Sequence, residues 1–87
     1  MTEAMTVRVR YFASLREVLG SGDTLTLAHD ATVAAARDAL IARSIAHARV
    51  LARGRAVRMA LNQNLCDEAA MLHDGAELAF FPPVTGG

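Results

Sequence analysis

The chain has 87 residues and a mass of 9.3 kDa, which is enough for a single domain with one modest core and excludes a two-domain enzyme. Nine acidic residues balance nine basic ones, so the formal net charge is zero and no overall field favours nucleic acid or an anionic membrane. No run of 18 apolar residues is present. We therefore expect a protein with neither a nucleic-acid nor a membrane partner.

Cysteine and lysine usage narrows the chemistry further. Cys66 is the only cysteine, which rules out an intrachain disulfide and predicts a reducing, cytoplasmic location. All nine basic residues are arginines, so no side-chain amine could serve as a nucleophile or as an acyl acceptor.

The N-terminal third of the chain predicts a β-hairpin. Apolar residues alternate with arginines over residues 6–12, the period-two pattern of a strand with one face in water. A turn is predicted at residues 20–23, and leucines alternate with threonines over residues 24–27 as a second strand. Phe12 has the opposite parity from Tyr11, so a regular strand points its ring away from the core.

The next segment predicts one amphipathic helix over residues 33–46. Apolar residues recur on one face as far as Leu40, and Thr32 stands where an N-cap is expected. Arg37 falls on another face, which predicts contact with solvent. Residues 45–53 could continue this helix or form a short turn of their own, and the sequence leaves both possibilities open.

The remaining segments predict strands. Residues 56–61 suit a central strand that ends in a polar turn, and a short strand or turn is predicted near residues 71 and 72. An Asp-Gly turn at residues 74–75 precedes a last strand over residues 78–81. Pro82 ends that strand because proline has no backbone N–H to donate.

This order of elements predicts an α+β fold of the β-grasp, ubiquitin-like type, a mixed sheet packed on one main helix. We assign residues 1–81 to that domain. Residues 82–87 are then a flexible C-terminal tail that follows the last strand.

The tail, Pro-Pro-Val-Thr-Gly-Gly, carries the clearest functional signal. Its glycines lack Cβ atoms, so its backbone can enter a space too narrow for side chains, and six extended residues reach about 20 Å at roughly 3.3 Å each. We interpret it as a probe that presents the carboxylate of Gly87, an anionic oxygen nucleophile able to attack the α-phosphate of ATP. The alternative is a frayed chain end.

Activation of that carboxylate must come from another protein. The sequence has neither a GxxxxGK[ST] loop nor a GxGxxG loop after a strand, and it has no lysine to hold a phosphate. Its three histidines, His29, His47 and His73, have no ligand-like spacing and are predicted at the surface, so no metal site is expected. Cys66 has no adjacent basic residue to activate it, which favours a half-buried apolar role.

A basic stretch lies in the second half of the chain, at Arg49, Arg53, Arg55 and Arg58. It fits a solvated face better than a contact for an acidic partner, although both interpretations remain open.

Two phenylalanines predict an apolar patch on the uncovered side of the sheet. If Phe80 points into the core, Phe81 points away from it, as Phe12 does. The first and last strands are neighbours in a β-grasp sheet, so both rings would lie beside the root of the tail, and Leu65 would extend the patch. Such patches mark binding surfaces, whereas isolated exposed rings need no functional explanation.

Residues 77–87, Glu-Leu-Ala-Phe-Phe-Pro-Pro-Val-Thr-Gly-Gly, resemble the C-terminal signature of the small, sulfur-carrying subunit of molybdopterin synthase, the MoaD type of the ubiquitin-like MoaD/ThiS superfamily. Residues 7–17 and the Leu-Asn-Gln at residues 61–63 are also similar to that family, so the resemblance covers nearly the whole chain. It departs from the family pattern in the arginine-rich region of residues 46–58 and at residues 75–77, where many members carry a second acidic residue.

The resemblance implies a function in molybdenum cofactor biosynthesis. An E1-like enzyme would use ATP to adenylate Gly87, and a sulfur donor protein would then supply the sulfur of a thiocarboxylate. The tail, through Pro83, Val84, Thr85 and Gly86, would enter the large catalytic subunit of a heterotetrameric synthase, a transferase, and pass the sulfur to the cyclic pyranopterin precursor. No cofactor would be bound by this chain itself.

The resemblance also implies that Phe12, Leu65 and Phe81 pack on the large subunit. Two alternatives keep the same tail chemistry with another acceptor: a sulfur carrier for thiazole synthesis, or a ubiquitin-like protein modifier. A third is a non-catalytic β-grasp interaction module with an inert tail.

Overall fold

The computed structural model describes residues 4–83. Within this range the chain forms five strands and three helices, in the order β1 (Ala4–Tyr11), α1 (Ala13–Leu19), β2 (Gly22–Ala28), α2 (Val33–Ile41), α3 (Ile45–Leu51), β3 (Arg58–Leu61), β4 (Asn64–Cys66) and β5 (Glu77–Phe81).

These strands make one mixed sheet with the order β2-β1-β5-β3-β4. The last strand, β5, therefore lies in the centre, parallel to β1 and antiparallel to β3. Phe80 stands opposite Tyr11 on one side and Met59 on the other. The predicted β-grasp fold is confirmed, with a layer of three helices in residues 4–83 where one main helix was expected.

The turn before β5 fixes the register of the central pair. Gly75 adopts a φ of 81°, which glycine tolerates without a steric penalty. Its N–H donates to the carbonyl oxygen of Thr6 at 2.8 Å, and the N–H of Thr6 donates to Asp74 Oδ1 at 2.8 Å. The turn predicted at these residues is thus bonded directly to β1.

The core lies between the helices and one face of the sheet. Every second residue of β1 from Met5 to Tyr11 is buried, which is the predicted alternation. Each fully buried large apolar side chain contributes about 1.5–3 kcal/mol relative to exposure. The largest fully buried side chains are Tyr11, Phe80, Leu40, Leu51, Leu78, Val7 and Val33.

The connection between β1 and β2 differs from the predicted hairpin turn, because helix α1 fills it. The chain leaves β1 after Tyr11, and Ala13 takes a φ of 54°, a left-handed conformation that costs an alanine about 1–2 kcal/mol. The reversal brings Leu15 into the core. Beyond the helix, Gly22 passes so close to β1 that a Cβ there would collide with the carbonyl oxygen of Val9.

The helix predicted over residues 33–46 is two helices. Thr32 is the N-cap of α2, as predicted, and its hydroxyl accepts from the N–H of Ala35 at 3.3 Å. That helix ends at Ile41, and the hydroxyl of Ser44 accepts from the N–H of His47 at 3.1 Å to begin α3. A serine that bonds its own downstream backbone favours a new helix start over helix continuation.

The predicted solvent position of Arg37 is wrong, because its side chain is only 4% exposed. The guanidinium donates to the carbonyl oxygens of Leu51 and Ala52 at 2.7 and 3.0 Å, where α3 ends, and it lies 3.4 Å from a carboxylate oxygen of Glu68. Burial lowers the pKa of Arg37, and the charge of Glu68 opposes that effect. Arg37 therefore holds the end of α3 against α2.

A second polar cluster joins α3 to the sheet. Asp23 Oδ2 accepts from the hydroxyl of Tyr11 at 2.7 Å and lies 2.9 Å from Nε2 of His47, while Arg43 lies 3.2 Å from Asp23 Oδ1. His47 is thus partly buried and paired, contrary to the surface position predicted for it. Burial raises the pKa of Asp23, but hydrogen bonds from His47 and Tyr11 and the nearby positive charges outweigh it, so the net shift is downward.

We expect Arg37→Met to lower the free energy of unfolding by about 2 kcal/mol or more, because buried carbonyl groups at the end of α3 lose their donor. Arg49→Met is the matched control, since Arg49 is exposed on α3, the helix that Arg37 contacts from α2, and it should change stability by less than about 0.5 kcal/mol. Urea denaturation of both variants measures the difference. Equal losses in the two variants would contradict the capping role.

We expect the Asp23 cluster to make stability depend on pH. A carboxyl group whose pKa is lowered on folding stabilises the protein above its unfolded pKa of about 4, and this contribution is lost as pH falls through the folded value. Asp23→Asn should therefore be less stable than the parent chain by about 1–3 kcal/mol at neutral pH. Below pH 4 this difference in the free energy of unfolding should disappear. A difference that stays constant from neutral pH to below pH 4 would contradict the prediction.

Candidate functional site

The sheet face opposite the helices carries a shallow apolar depression of about 500 Å³. Its floor is made by small side chains of the central strands, Ala60 and Ala79, and the rings of Phe12 and Phe81 lie in its wall. The other residues that line it are Arg10, Gln63 and Glu77. The structure thus brings together the two phenylalanines singled out in the sequence.

Strand parity and the central pairing put both rings there. Phe80 is fully buried in the core, so Phe81, the next residue of β5, projects from the opposite face and is half-buried. The N–H of Phe12 donates to the carbonyl oxygen of Phe80 at 3.1 Å, which carries the β1–β5 pairing one residue past Tyr11. Phe12 is consequently held beside Phe81 and remains 37% exposed.

Leu65 occupies the same face near the edge of the sheet. It lies on β4, a strand where the sequence predicted only a turn, and it pairs with Ala60, whose other neighbour is Ala79. Residues paired in this way share a face, so Leu65 belongs to the open side. It is 71% exposed and does not line the depression itself.

The hairpin that carries Leu65 is held by Asn62, a residue whose role the sequence analysis missed. Asn62 and Gln63 have φ angles of 50° and 70°, as a two-residue hairpin turn requires. Asn62 Oδ1 accepts from the N–H of Glu77 at 3.0 Å, and Nδ2 lies 2.7 Å from Nε2 of His73. The sequence signal for this role was the position of an asparagine between a strand and a polar turn, because asparagine tolerates a positive φ and bonds to nearby backbone.

The predicted tail begins at the end of β5 nearest the aromatic rings. Pro82 and Pro83 are half-buried, and Pro82 also lines a groove of about 390 Å³ with residues of α1 and α3, including Leu15 and Val18. The other predicted tail residues, Val84, Thr85, Gly86 and Gly87, lie outside the described residues.

The structure also describes the surroundings of the histidines, of Cys66 and of the basic stretch. In residues 4–83, no group of three or more His, Cys, Asp or Glu side chains is arranged to hold a metal ion. Burial and the neighbouring Asp67 raise the pKa of Cys66, which disfavours the thiolate. Arg53 of the basic stretch is paired with Asp38 and Glu68.

Of the helices between residues 4 and 83, none has the length and apolar character needed to cross a bilayer.

Comparison with known proteins connects this geometry to a family. Residues 9–87 match the ThiS family. Over 81 residues, the chain is 42% identical to the molybdopterin synthase sulfur carrier subunit of Escherichia coli strain K12, a match that covers 93% of this chain and 99% of that protein.

Two solved structures share the fold. Small archaeal modifier protein 1 of Haloferax volcanii superimposes with a TM-score of 0.78 at 31% identity, covering 92% of this chain and 99% of that one. A protein-protein complex of subunits 1 and 2 of the molybdopterin-converting factor of Helicobacter pylori 26695 contains a chain that superimposes with a TM-score of 0.66 at 26% identity, covering 95% of this chain and 100% of that one. The family match, the identity over nearly the full length and the shared fold agree with the resemblance noted in the sequence: the chain belongs to the ThiS family.

Proposed function

We propose that this chain is the sulfur carrier subunit of a molybdopterin synthase and donates sulfur from a thiocarboxylate on Gly87 during molybdenum cofactor biosynthesis. The observation that carries the proposal is the 42% identity to a sulfur carrier subunit over 93% of the chain. The structure adds a physical basis, since an apolar depression lies beside the strand end from which the Pro-Pro-Val-Thr-Gly-Gly segment continues.

The chemistry at Gly87 requires two partners. In an E1-like enzyme, the carboxylate oxygen would attack the α-phosphorus of ATP and release pyrophosphate, leaving an acyl-adenylate. A hydrosulfide supplied by a sulfur donor protein would then attack the acyl carbon, forming a C–S bond as AMP leaves, and loss of its proton would give the thiocarboxylate. The carrier's own contribution is delivery, because a glycine backbone without Cβ atoms fits a narrow channel that excludes water.

The third partner is the large catalytic subunit, in a heterotetramer of two copies of each chain. We propose that Phe12, Phe81 and Leu65 dock on it while residues 83–87 enter its active site. Docking through a surface beside the tail fixes one end of a short segment, so the reacting sulfur is confined near the acceptor. Aromatic side chains that fill pockets commonly dominate such interfaces.

A second candidate, a ubiquitin-like protein modifier, is favoured by one observation. The superposition on small archaeal modifier protein 1 has a higher TM-score, 0.78, than that on the chain from the H. pylori complex, 0.66. In this case the same activated Gly87 would be transferred to a lysine amine of another protein. The two candidates share activation and differ only in the acceptor.

Activation is tested by intact mass. We expect incubation with an E1-like adenylating enzyme, ATP and a sulfide source to increase the mass of the chain by the difference between sulfur and oxygen, with the change located at Gly87. A variant that lacks Gly87 is the control and should fold normally but stay unmodified. An unmodified parent chain, in a reaction that converts a known carrier, would contradict the proposal.

Docking is tested at the aromatic patch, formed by Phe12 and Phe81. We expect Phe81→Ala to weaken binding to the large subunit by roughly 2 kcal/mol or more, the scale of a buried aromatic anchor. Ile45→Ala is the matched control, because Ile45 is 79% exposed at the start of α3, on the helical side of the sheet. Isothermal titration calorimetry compares the two, and a loss under about 0.5 kcal/mol for Phe81→Ala would count against docking through this face.

A further inference from the structure

Three arginines project from the open sheet face around the aromatic patch. Arg8 and Arg10 alternate with the buried residues of β1. Arg58 lies on β3, where it pairs with Phe81 of β5. All three are exposed. Among residues 4–83 none of them is paired with a carboxylate, whereas Arg37, Arg43 and Arg53 on the helical side all are.

The face is positively biased in a chain whose net charge is zero. Glu77, the acidic side chain in the depression, stands opposite Arg8 on β5, and the open-face positions of β2 opposite Arg8 and Thr6 are the neutral Thr24 and Thr26. Neighbouring strands lie about 4.8 Å apart, and Arg10 and Arg58 branch from β1 and β3, on either side of the central strand β5. At ordinary ionic strength exposed charges are screened over about 8–10 Å, so these arginines act on a partner's carboxylates at close range.

Arg10 already contacts a ring of the aromatic patch. The guanidinium carbon of Arg10 lies 5.4 Å from the centroid of the Phe12 ring, within cation–π range. This contact keeps the charge at the margin of the apolar depression, where a partner's side chain could reach it. The arrangement is an apolar centre with a cationic margin, the usual layout of a protein interface.

We propose that Arg8, Arg10 and Arg58 select a partner surface that places carboxylates around an apolar centre. This inference rests on the proposed function and names the partner surface as that of the large subunit. Complementary charges at the margin of an interface chiefly raise the association rate and reject wrong partners. The arginines would thus decide which large subunit accepts this carrier, while the phenylalanines supply most of the affinity.

A protein partner fits this face better than a polyanion. The depression between the arginines is lined mainly by apolar side chains and includes Glu77, which would repel a phosphate backbone. Single-stranded RNA, which also uses arginines and aromatic rings, is therefore the competing occupant to be tested.

The test is a charge reversal with a matched control. We would measure the Kd of the large subunit for the parent chain, for the double variant R10E/R58E and for R49E, in salt of about 0.1 M and about 1 M, where the screening length falls from about 10 Å to about 3 Å. Arg49 is exposed on α3, on the other side of the sheet, so R49E changes the net charge without touching the open face. A neutral variant, R10Q/R58Q, separates lost attraction from added repulsion.

We expect R10E/R58E to weaken binding about thirtyfold or more in low salt, R10Q/R58Q to lose several-fold, and R49E to stay within about twofold of the parent chain. The gap between R10E/R58E and the parent chain should shrink to a few-fold in high salt. Unchanged melting temperatures would show that the variants are folded, as expected for exposed positions.

Other outcomes overturn the inference. Binding of R10E/R58E within about twofold of the parent chain in low salt removes the role of the arginines and leaves the proposed function intact. An equal loss in R49E shows a non-specific charge effect, and displacement of the large subunit by a short single-stranded RNA at similar concentration assigns the face to a polyanion. No binding by the parent chain, together with no mass change at Gly87, would instead reject the proposed function itself.

Discussion

Strand β5 lies between β1 and β3, and its two ladders of hydrogen bonds determine which side chains enter the core and which face outward. Side chains alternate along a strand, so a shift of one residue would exchange Phe80 and Phe81 between the core and the open face. The bonds from the turn at residues 74–75 to Thr6 prevent that shift. The register of one central strand therefore fixes both the packing of the core and the composition of the open face of the sheet.

Within residues 4–83, some charged side chains are at least partly buried and paired on the helical face of the sheet, whereas the arginines of the open face are exposed and not paired with a carboxylate. On the helical face, Arg37 and Asp23 are partly or fully buried, and each is matched by hydrogen bonds and opposite charges, which offsets the loss of hydration. The arginines of the open face remain in contact with water. A charge that is unpaired but hydrated costs little in the free chain and is available for a partner, so the helical face stabilises the fold while the open face is suited to recognition.

Local sequence pattern predicts a residue's environment correctly in the alternation of β1, the N-cap Thr32 and the opposite parity of Phe80 and Phe81. It does not predict burial that depends on partners distant in the chain. Arg37 is buried because the end of α3 approaches it from 14 positions later in the chain, and His47 is partly buried because Asp23 lies 24 positions before it. Short elements were also missed, since α1 has no side-chain cap and β4 has three residues.

The central location of β5 also affects how the protein is made. A ribosome that has synthesised everything up to β4 has produced a β1–β2 pair and a β3–β4 pair with the strand between them still missing. Domains fold as units, so this sheet cannot close until residues 77–81 have emerged. Incomplete chains cut short before this strand would expose the side chains meant for the core and be open to proteolysis. Because β5 is the last strand to be synthesised and directly precedes the tail, a chain that lacks β5 does not fold.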